Sequence, residues 1–518
     1  MSKAKIIAEK ILNGEIKTAE ELQREKKKIG VRKAPNNYDI LKKIPKKHRS
    51  KEIMDLLKTK PTRSKSGVNV IAIMCKPHKC PHGRCSYCPE SMISKKTPPS
   101  YTGNEPATMR AIFNKYDAYK QVQNRLRQYY LTGHVPEKIE LIIMGGTFNS
   151  LDINYQNKFI RDAYQALNDY PNSRETRVSL REAIKTNEQA KHRCVALVIE
   201  TRPDWINEKE IKRFLEYGVT RVELGVQSVY DSVLKKVNRG HNVNDAIKAV
   251  KLLRNAGFKI DFHIMLGLPF EKKLSIKERI KKDIEMFEII FNNQEFMPDG
   301  LKIYPTMLVK NTKLYEDYKN GKYAPINDEY VIKVLVKAKP KIPRWCRIKR
   351  ILRDIPLNAT EGNIRKGNLR EIVWKELKKR KKKCNCIRCR EVGHIKLTKK
   401  IKEVLNIKSY NANNGKEFFI SIDDLNNDAL LSFCRLRLGK NAIIRELHSY
   451  GSALPLSEKP TENSFQHKGY GKKLLKKAEE IAKAHNYREL KVISGVGVRE
   501  YYRKQGYLLK NNYMIKKL

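Results

Sequence analysis

The sequence predicts an α/β protein: a parallel sheet covered by helices, preceded by a small basic helical module and followed by a second, smaller α/β domain. From about position 67 to 310, short β-branched runs alternate with amphipathic stretches, the pattern of repeated strand–helix units. The runs are almost continuously apolar, as strands are when helices cover both faces of a sheet. Glycine and polar residues follow several runs directly, where a parallel sheet or barrel carries its ligand loops.

Residues 1–66 hold 20 Lys and Arg against 8 acids, with apolar residues at helical spacing (Ile6, Ile7, Ile11, Leu12; Ile40, Leu41, Ile44) and breaks at Gly14, Gly30, Pro35 and Pro45. They read as a basic helical module that binds nucleic acid. Residues 67–340 form the main domain. Its expected strands are 68–74, 139–146, 195–202, 220–227 and 259–269, with helices near 207–217, 243–256 and 274–292; the sheet is either open or closed into a barrel. Residues 341–398 are a basic linker containing KELKKRKKKCNCIRC. Residues 399–518 form the second domain, with strand-like IIRELHSYG, a Gly-rich turn, an amphipathic helix to about 485, strand-like ELKVISGVG and an aromatic segment, REYYRKQGY.

A formal charge of +52 exceeds what solubility needs and calls for a polyanionic partner, nucleic acid first. No run of about 18 apolar residues exists to span a membrane, and the N-terminal stretch mixes charge with apolar residues rather than forming a signal-peptide core, so the chain reads as cytoplasmic. There thiols stay reduced, and clustered cysteines read as metal ligands before disulfides. Seven of the ten cysteines are clustered: Cys75, Cys80, Cys85 and Cys88, then Cys384, Cys386 and Cys389.

The first group directly follows the first strand. Three thiolates can hold an iron–sulfur cluster and leave one iron open. The spacing of Cys80, Cys85 and Cys88 also begins a plant-type two-iron pattern, although the next cysteine, Cys194, is over a hundred residues away. With Cys75 as a fourth thiolate, the group would suit zinc instead. The second group gives three ligands in six residues, a spacing for structural zinc closed by Cys346 or His394. In the tail, Gln466-His467-Lys468-Gly469-Tyr470-Gly471-Lys472 precedes a helix whose free N–H groups could receive a pyrophosphate.

The cysteine loop, SYTGNEPATMRA, IMGGTFNS, ETRPD, ELGVQS and HIMLGLP, in this order, resemble the catalytic subunit of Elongator, a radical S-adenosylmethionine enzyme acting on transfer RNA. The resemblance extends over nearly all of the chain from about 67 and, through IIRELHSYG and SGVGVREYYRKQGY, includes an acetyltransferase domain of the GNAT fold. It implies a partial TIM-like barrel. It implies a [4Fe-4S] cluster on Cys80, Cys85 and Cys88, in a loop whose spacing departs from the usual radical-enzyme pattern and leaves Cys75 open. It implies S-adenosylmethionine contacts at Gly145, Gly146, Glu200 and Gln227. Acetyl-CoA contacts would fall on Glu446, Leu447, His448, Ser449, Tyr470, Gly471, Lys472 and Tyr502, with Lys138 reaching across from the main domain. Tyr501 and Tyr502, adjacent in a segment read as extended, would face opposite ways, so one of them would enter the site.

The reaction implied is hydrogen removal from the acetyl methyl group, addition of the carbon radical to C5 of the anticodon wobble uridine, and thioester hydrolysis to 5-carboxymethyluridine. An electron donor for the cluster is required, and further Elongator subunits are left open. Two other readings share these residues: a protein lysine acetyltransferase with a structural iron–sulfur cluster, and an RNA-binding scaffold with both sites degenerate.

Overall fold

The computed structural model describes residues 2–29, 34–58, 66–89, 97–174, 176–272, 274–356, 360–451 and 468–518. Seven strands, β1 (Asn69–Met74), β2 (Lys138–Met144), β3 (Arg193–Thr201), β4 (Val219–Gln227), β5 (Lys259–Leu266), β6 (Gly300–Pro305) and β7 (Arg347–Ile351), pair in chain order. Every pair is parallel. The order runs from β1 to β7 without closing, so the architecture is a partial barrel. The five expected strands are present. The strands β6 and β7, which the apolar runs do not mark, complete the sheet, and β7 comes from within the stretch read as linker.

The two faces of the strands differ in chemistry. Ile71, Ile73, Ile139, Leu141, Ile143, Leu197 and Ile199 pack into the core under the helices. The alternate residues line the barrel interior, as period-two geometry requires, and many are charged. Arg221 joins Glu140 (2.8 Å), Asp261 (3.2 Å) and Glu223 (3.3 Å), and Lys349 joins Asp261 at 2.6 Å. A buried charge is costly unless paired, so this layer of ion pairs is held as a unit.

Four helices, α1 (Lys3–Leu12), α2 (Ala19–Lys28), α3 (Asn37–Lys43) and α4 (Lys51–Leu57), make the N-terminal module. Ile7, Ile11, Leu22, Ile40, Leu41 and Ile44 form a core of its own, while Ile6 and Leu12 remain exposed. Thr18 and Glu21 form a capping box at the start of α2. The module leans on the turn after helix Ala118–Leu131, where Gly133 (φ +76°) lets the Met54 carbonyl approach to 3.0 Å from where a Cβ would stand.

The second domain is a mixed sheet of β8 (Glu403–Ala412), β9 (Gly415–Asp424), β10 (Ala429–Leu438), β11 (Ala442–Ser449), β12 (Glu489–Val492), β13 (Leu508–Lys510) and β14 (Tyr513–Lys517), ordered β13-β14-β12-β11-β10-β9-β8. It docks on the N-terminal ends of the barrel strands. Arg445 binds Asp299, just before β6; Lys259, the first residue of β5, pairs with Glu446; and Arg499 pairs with Glu188. At Gly495 an added Cβ would lie 2.0 Å from the Val195 carbonyl oxygen. Gly495→Ala is therefore expected to push the domains apart and lower the unfolding free energy measured in urea by about 1–3 kcal/mol, whereas Gly367→Ala, with open space around it, leaves it unchanged.

Among the described residues no helix is long and apolar enough to cross a membrane.

Candidate active sites at the two ends of the barrel

The loop after β1 lies across the strand C-termini. Cys80 Sγ stands 3.1 Å from His82 Nδ1, and His82 Nε2 stands 3.3 Å from Cys85 Sγ. Arg202, of the ETRPD segment, and Arg239 approach the same two sulfurs at 3.9 and 3.7 Å. Cys88 is buried beside Ser100 Oγ at 3.8 Å, and its N–H donates to the Cys85 carbonyl. Burial raises the Cys80 and Cys88 thiols, and at Cys80 the Arg202 charge opposes that. Three thiols with two guanidiniums aimed at them form a donor set suited to an anionic iron–sulfur group. Among the described residues, the trios of donor atoms within 4.8 Å of one another are Cys384–Cys386–Cys389 and Glu200–Glu223–His263. A cluster, whose thiolates bind different irons, asks for wider spacing than one zinc ion does.

Cys75 points the other way. It continues the parity of Ile71 and Ile73 into the helix-covered core, whereas Val70 and Ala72 face the barrel interior. Burial pushes its thiol up to about 12, and an added Cβ on Gly145 would lie 2.2 Å from its sulfur. Gly145, at φ +134°, thus makes room for Cys75, while Gly146 lines the interior.

Below the cysteine loop is a cavity of about 770 Å³, lined by Gly146, Glu200 and Gln227 as well as Cys80, Cys85 and Cys88. Glu200 accepts hydrogen bonds from the Tyr101 hydroxyl at 3.0 Å and Lys302 Nζ at 3.3 Å. Gln227 closes β4 at φ +68°. Arg202, Arg239, Glu223, His263, Lys302 and Tyr304 also line the cavity, and sequence reasoning did not single them out. The available signal was a charge at alternate positions inside apolar runs, such as Glu223 in TRVELGVQ and His263 in KIDFHIMLGLP.

In the second cysteine group, Cys384, Cys386 and Cys389 converge, and the buried Lys339 bears on all three as a positive charge. Cys346 is buried, its carbonyl accepts from Ile387 N–H at 2.9 Å, and its thiol is raised first by burial and then by the neighbouring Cys386. His394 Nε2 is instead 2.5 Å from Glu391.

At the other end of the barrel, β11 and β12 pair only from Ala442–Leu490 to Ile444–Val492, and β11 bulges at Arg445, opposite Arg435 and Leu436 of β10. The segment 446–449 therefore runs on beyond its parallel neighbour. Its side chains are already engaged: Glu446 with Lys259 and Arg435, His448 Nε2 with the Ser66 carbonyl at 2.9 Å, and Ser449 Oγ with Ser432 Oγ at 2.8 Å. Helix Tyr470–Ala484 starts here, with Gly469 at φ +80° as its cap; Gln466 and His467 lie outside the described residues. Tyr470 is tied to Glu403.

The aromatic segment is a short helix, Arg499–Arg503, not an extended strand, so Tyr501 and Tyr502 diverge by about a quarter turn rather than facing opposite ways. Tyr502 is buried between Tyr501 and Tyr507. The Tyr501 hydroxyl stands 2.8 Å from where a Gly471 Cβ would be and has no hydrogen-bond partner among the described residues. A buried hydroxyl left open against a Gly-rich turn fits a site completed by a ligand. Lys138 opens β2 at this same end, its ammonium lowered to about 8 chiefly by burial.

The chain matches the Radical SAM superfamily over residues 75–282, the Radical_SAM C-terminal domain over 298–379 and the Acetyltransferase (GNAT) family over 461–507. It is 45% identical over 502 residues to the tRNA uridine(34) acetyltransferase of Methanocaldococcus infernus, covering 93% of this chain and 92% of the relative. It is 39% identical over 514 residues to Elongator complex protein 3 of Homo sapiens, covering 95% and 91%. The chain belongs to the Elongator complex protein 3 family. A solved structure, the archaeal Methanocaldococcus infernus Elp3 with an N-terminal deletion, aligns at a TM-score of 0.75 and 41% identity, over 88% of this chain and all of that one.

Membership in this family implies S-adenosylmethionine and a [4Fe-4S] cluster, and its GNAT domain implies acetyl-CoA. The residues present fit both groups. From Lys138 to Gly145 the strand and its exit span about 23 Å at 3.3 Å per residue, so the two sites occupy opposite ends of one barrel.

Proposed function

We propose that this chain modifies the wobble uridine of transfer RNA, using S-adenosylmethionine-derived radical chemistry and acetyl-CoA to form 5-carboxymethyluridine. The observation that carries this reading is one partial barrel with a cysteine loop on its C-terminal end, an acetyl-CoA fold on its N-terminal end, and a polar interior between them. The names of the two Methanocaldococcus relatives, tRNA uridine(34) acetyltransferase, point to the same uridine.

In this reading Cys80, Cys85 and Cys88 hold the cluster, which when bound supplies the reducing electron for S-adenosylmethionine cleavage. Arg202 and Arg239 compensate its negative charge, Gly146 lets the cofactor approach the backbone, and Glu200 and Gln227 offer polar contacts. Backbone groups of Glu446, Leu447, His448 and Ser449 and the turn through Tyr470, Gly471 and Lys472 receive acetyl-CoA, with Lys138 as its cation. Of the two tyrosines, the open hydroxyl of Tyr501 is the better donor to the thioester, and Tyr502 packs behind it. Cys384, Cys386 and Cys389 hold a structural zinc; of the two candidate fourth ligands, His394 is engaged by Glu391 and Cys346 stands outside the convergent trio.

Transfer RNA is gripped by the N-terminal module and by helix Leu369–Lys379, whose Leu369, Val373 and Leu377 are buried while Trp374, 56% exposed, stands under Lys378. Affinity should fall by orders of magnitude between about 50 and 200 mM salt. An external electron donor is needed.

The test is anaerobic reconstitution with reductant, S-adenosylmethionine, acetyl-CoA and transfer RNA, followed by nucleoside mass analysis. Carboxymethyl mass on uridine, with 5′-deoxyadenosine formed only when both substrates are present, is the expected result. Acetylation of protein lysines without S-adenosylmethionine would replace this reading with the acetyltransferase one.

Lys138 gives a second expectation. Burial favours its neutral form, so the cation is mostly present at pH 7 and is lost as pH rises through about 8. Acetyl-CoA affinity, measured by calorimetry, should weaken about tenfold from pH 7 to pH 9 in the wild type and stay flat in Lys138→Met.

A further inference from the structure

His263 lines the cavity and has no task in the reading above. Its Nε2 stands 3.1 Å from Glu223 Oε2. Glu223 is fully buried; Lys302 pairs with it, and Arg221 Nη2 donates to its other oxygen at 3.3 Å. A carboxylate on Nε2 fixes the ring proton there and leaves the lone pair on Nδ1. Among the described residues Nδ1 has no hydrogen-bond partner, and the ring's aromatic neighbour is Tyr304, edge-on at 5.5 Å.

Glu200, Glu223 and His263 lie within 4.8 Å of one another, close enough for a divalent cation. The Lys302 ammonium already bridges both carboxylates and supplies that positive charge. The cluster is therefore built to hold His263: of the imidazoles lining the cavity, His78 turns to the Lys76 carbonyl and His82 to the Cys80 and Cys85 sulfurs, while His263 is set on a carboxylate. Burial alone would raise Glu223, but Lys302, His263 and Arg221 keep it well below the usual carboxylate range. Burial alone would lower Lys302, but Glu223 keeps it protonated. Tyr101 and Tyr304 are raised, mainly by burial. An imidazole that lines a cavity, paired with a carboxylate through one nitrogen and without a partner on the other among the described residues, is the arrangement of a general base.

We propose that His263 is the base that takes the C5 proton of the target uridine after the new carbon–carbon bond has formed; the inference rests on the reaction proposed above. When the carbon radical adds to C5, that carbon becomes tetrahedral, keeps its hydrogen, and leaves the unpaired electron at C6. Restoring the 5,6 double bond requires loss of one proton and one electron. The C5–H bond breaks, its electron pair re-forms the ring π system, and the proton goes to His263 Nδ1, giving an imidazolium paired with Glu223. The surplus electron leaves to an iron–sulfur one-electron acceptor.

The experiment uses the reconstituted full chain as wild type, His263→Gln and Glu223→Gln, with transfer RNA carrying protium or deuterium at C5 of the target uridine. Modified nucleoside and 5′-deoxyadenosine are quantified together. The ratio of modified uridine to 5′-deoxyadenosine should fall at least about 100-fold in His263→Gln. A primary C5 isotope discrimination, small in the wild type, should appear in the residual product of His263→Gln and, to a lesser degree, of Glu223→Gln. Discrimination within one sample does not depend on the fraction of protein folded, and a merely structural role would not alter it. In the protein without cluster or cofactor, ¹⁵N imidazole shifts, assigned by difference from His263→Gln, should place the His263 proton on Nε2. A wild-type product ratio without isotope discrimination in His263→Gln, or a proton on Nδ1, overturns this inference alone. Wild-type protein that forms 5′-deoxyadenosine but no modified uridine overturns the reaction reading and this inference with it.

Discussion

Cys85→Ala is expected to abolish S-adenosylmethionine cleavage, a loss of about a thousandfold or more, equivalent to at least 4 kcal/mol of barrier. Cys85 lies at the centre of the loop. His82 contacts its sulfur on one side and Arg239 on the other, and its carbonyl holds the Cys88 amide. Alanine removes one of three thiolates that no neighbouring cysteine can replace, because Cys75 is turned into the core on the opposite face of β1. Two measurements check this: iron bound per chain after anaerobic reconstitution, and 5′-deoxyadenosine formed. Cys75→Ala serves as the control. Its thiol is buried, raised to about 12 and packed on Gly145, so the substitution should leave a small cavity, cost about 1 kcal/mol of stability, and leave iron content intact. Iron lost equally from both variants would mean that Cys75 is a ligand and that the strand parity has been misread.

Cys75 also shows what the sequence could and could not reveal. Spacing alone placed four cysteines within fourteen residues and could not separate three from four ligands. What the structure adds is the alternation of β1, which sets Cys75 on the core face and is visible only once the strand's two faces have different neighbours. The strands themselves were legible where the apolar run was long enough to outlast single charges such as Glu223 and His263. The strands β6 and β7 were not, because β6 is a six-residue run broken by Lys302 and β7 carries Arg347, Lys349 and Arg350 among five residues; Lys302 and Arg350 are part of the polar lining of the cavity. Similarly, the motif around Tyr501 and Tyr502 was recognisable, but treating it as extended misjudged the angle between the two rings; only the helical turn Arg499–Arg503 brings the Tyr501 hydroxyl onto Gly471. The side chains of Glu446, His448 and Ser449 could not be assigned from the motif either, because their partners, Lys259, Ser66 and Ser432, come from distant parts of the chain.

Asp299→Ala should be the most destabilising single change at the domain boundary, at about 3–5 kcal/mol. Asp299 is fully buried and accepts from Arg445 Nη1 and Nη2 at 2.9 and 2.5 Å, with Arg435 Nη1 at 3.3 Å and the Ile260 amide at 2.9 Å. Removing it leaves two buried arginines of the GNAT sheet sharing one carboxylate fewer, which costs more than the pair contributed. Burial alone would raise the Asp299 carboxyl, yet Arg445, Arg435 and Arg254 hold it below its ordinary value. A depressed folded pKa stabilises the protein above the unfolded value, and that stability is lost as pH falls through the folded one. The acid limb of a stability–pH curve should therefore be shallower in Asp299→Ala than in the wild type, in addition to the lower plateau at pH 7. The substitution should also reach the cofactor end. Arg435 holds Glu446 at 2.8 Å, Glu446 holds Lys259, and the same strand then enters the 446–449 segment. Freed from Asp299, Arg435 can no longer fix that segment against the barrel, and acetyl-CoA affinity should fall by about tenfold, as one lost charge-assisted contact implies. Normal acetyl-CoA binding in a destabilised Asp299→Ala protein would show that β11 holds its shape from the GNAT sheet alone, with the barrel only a platform beneath it.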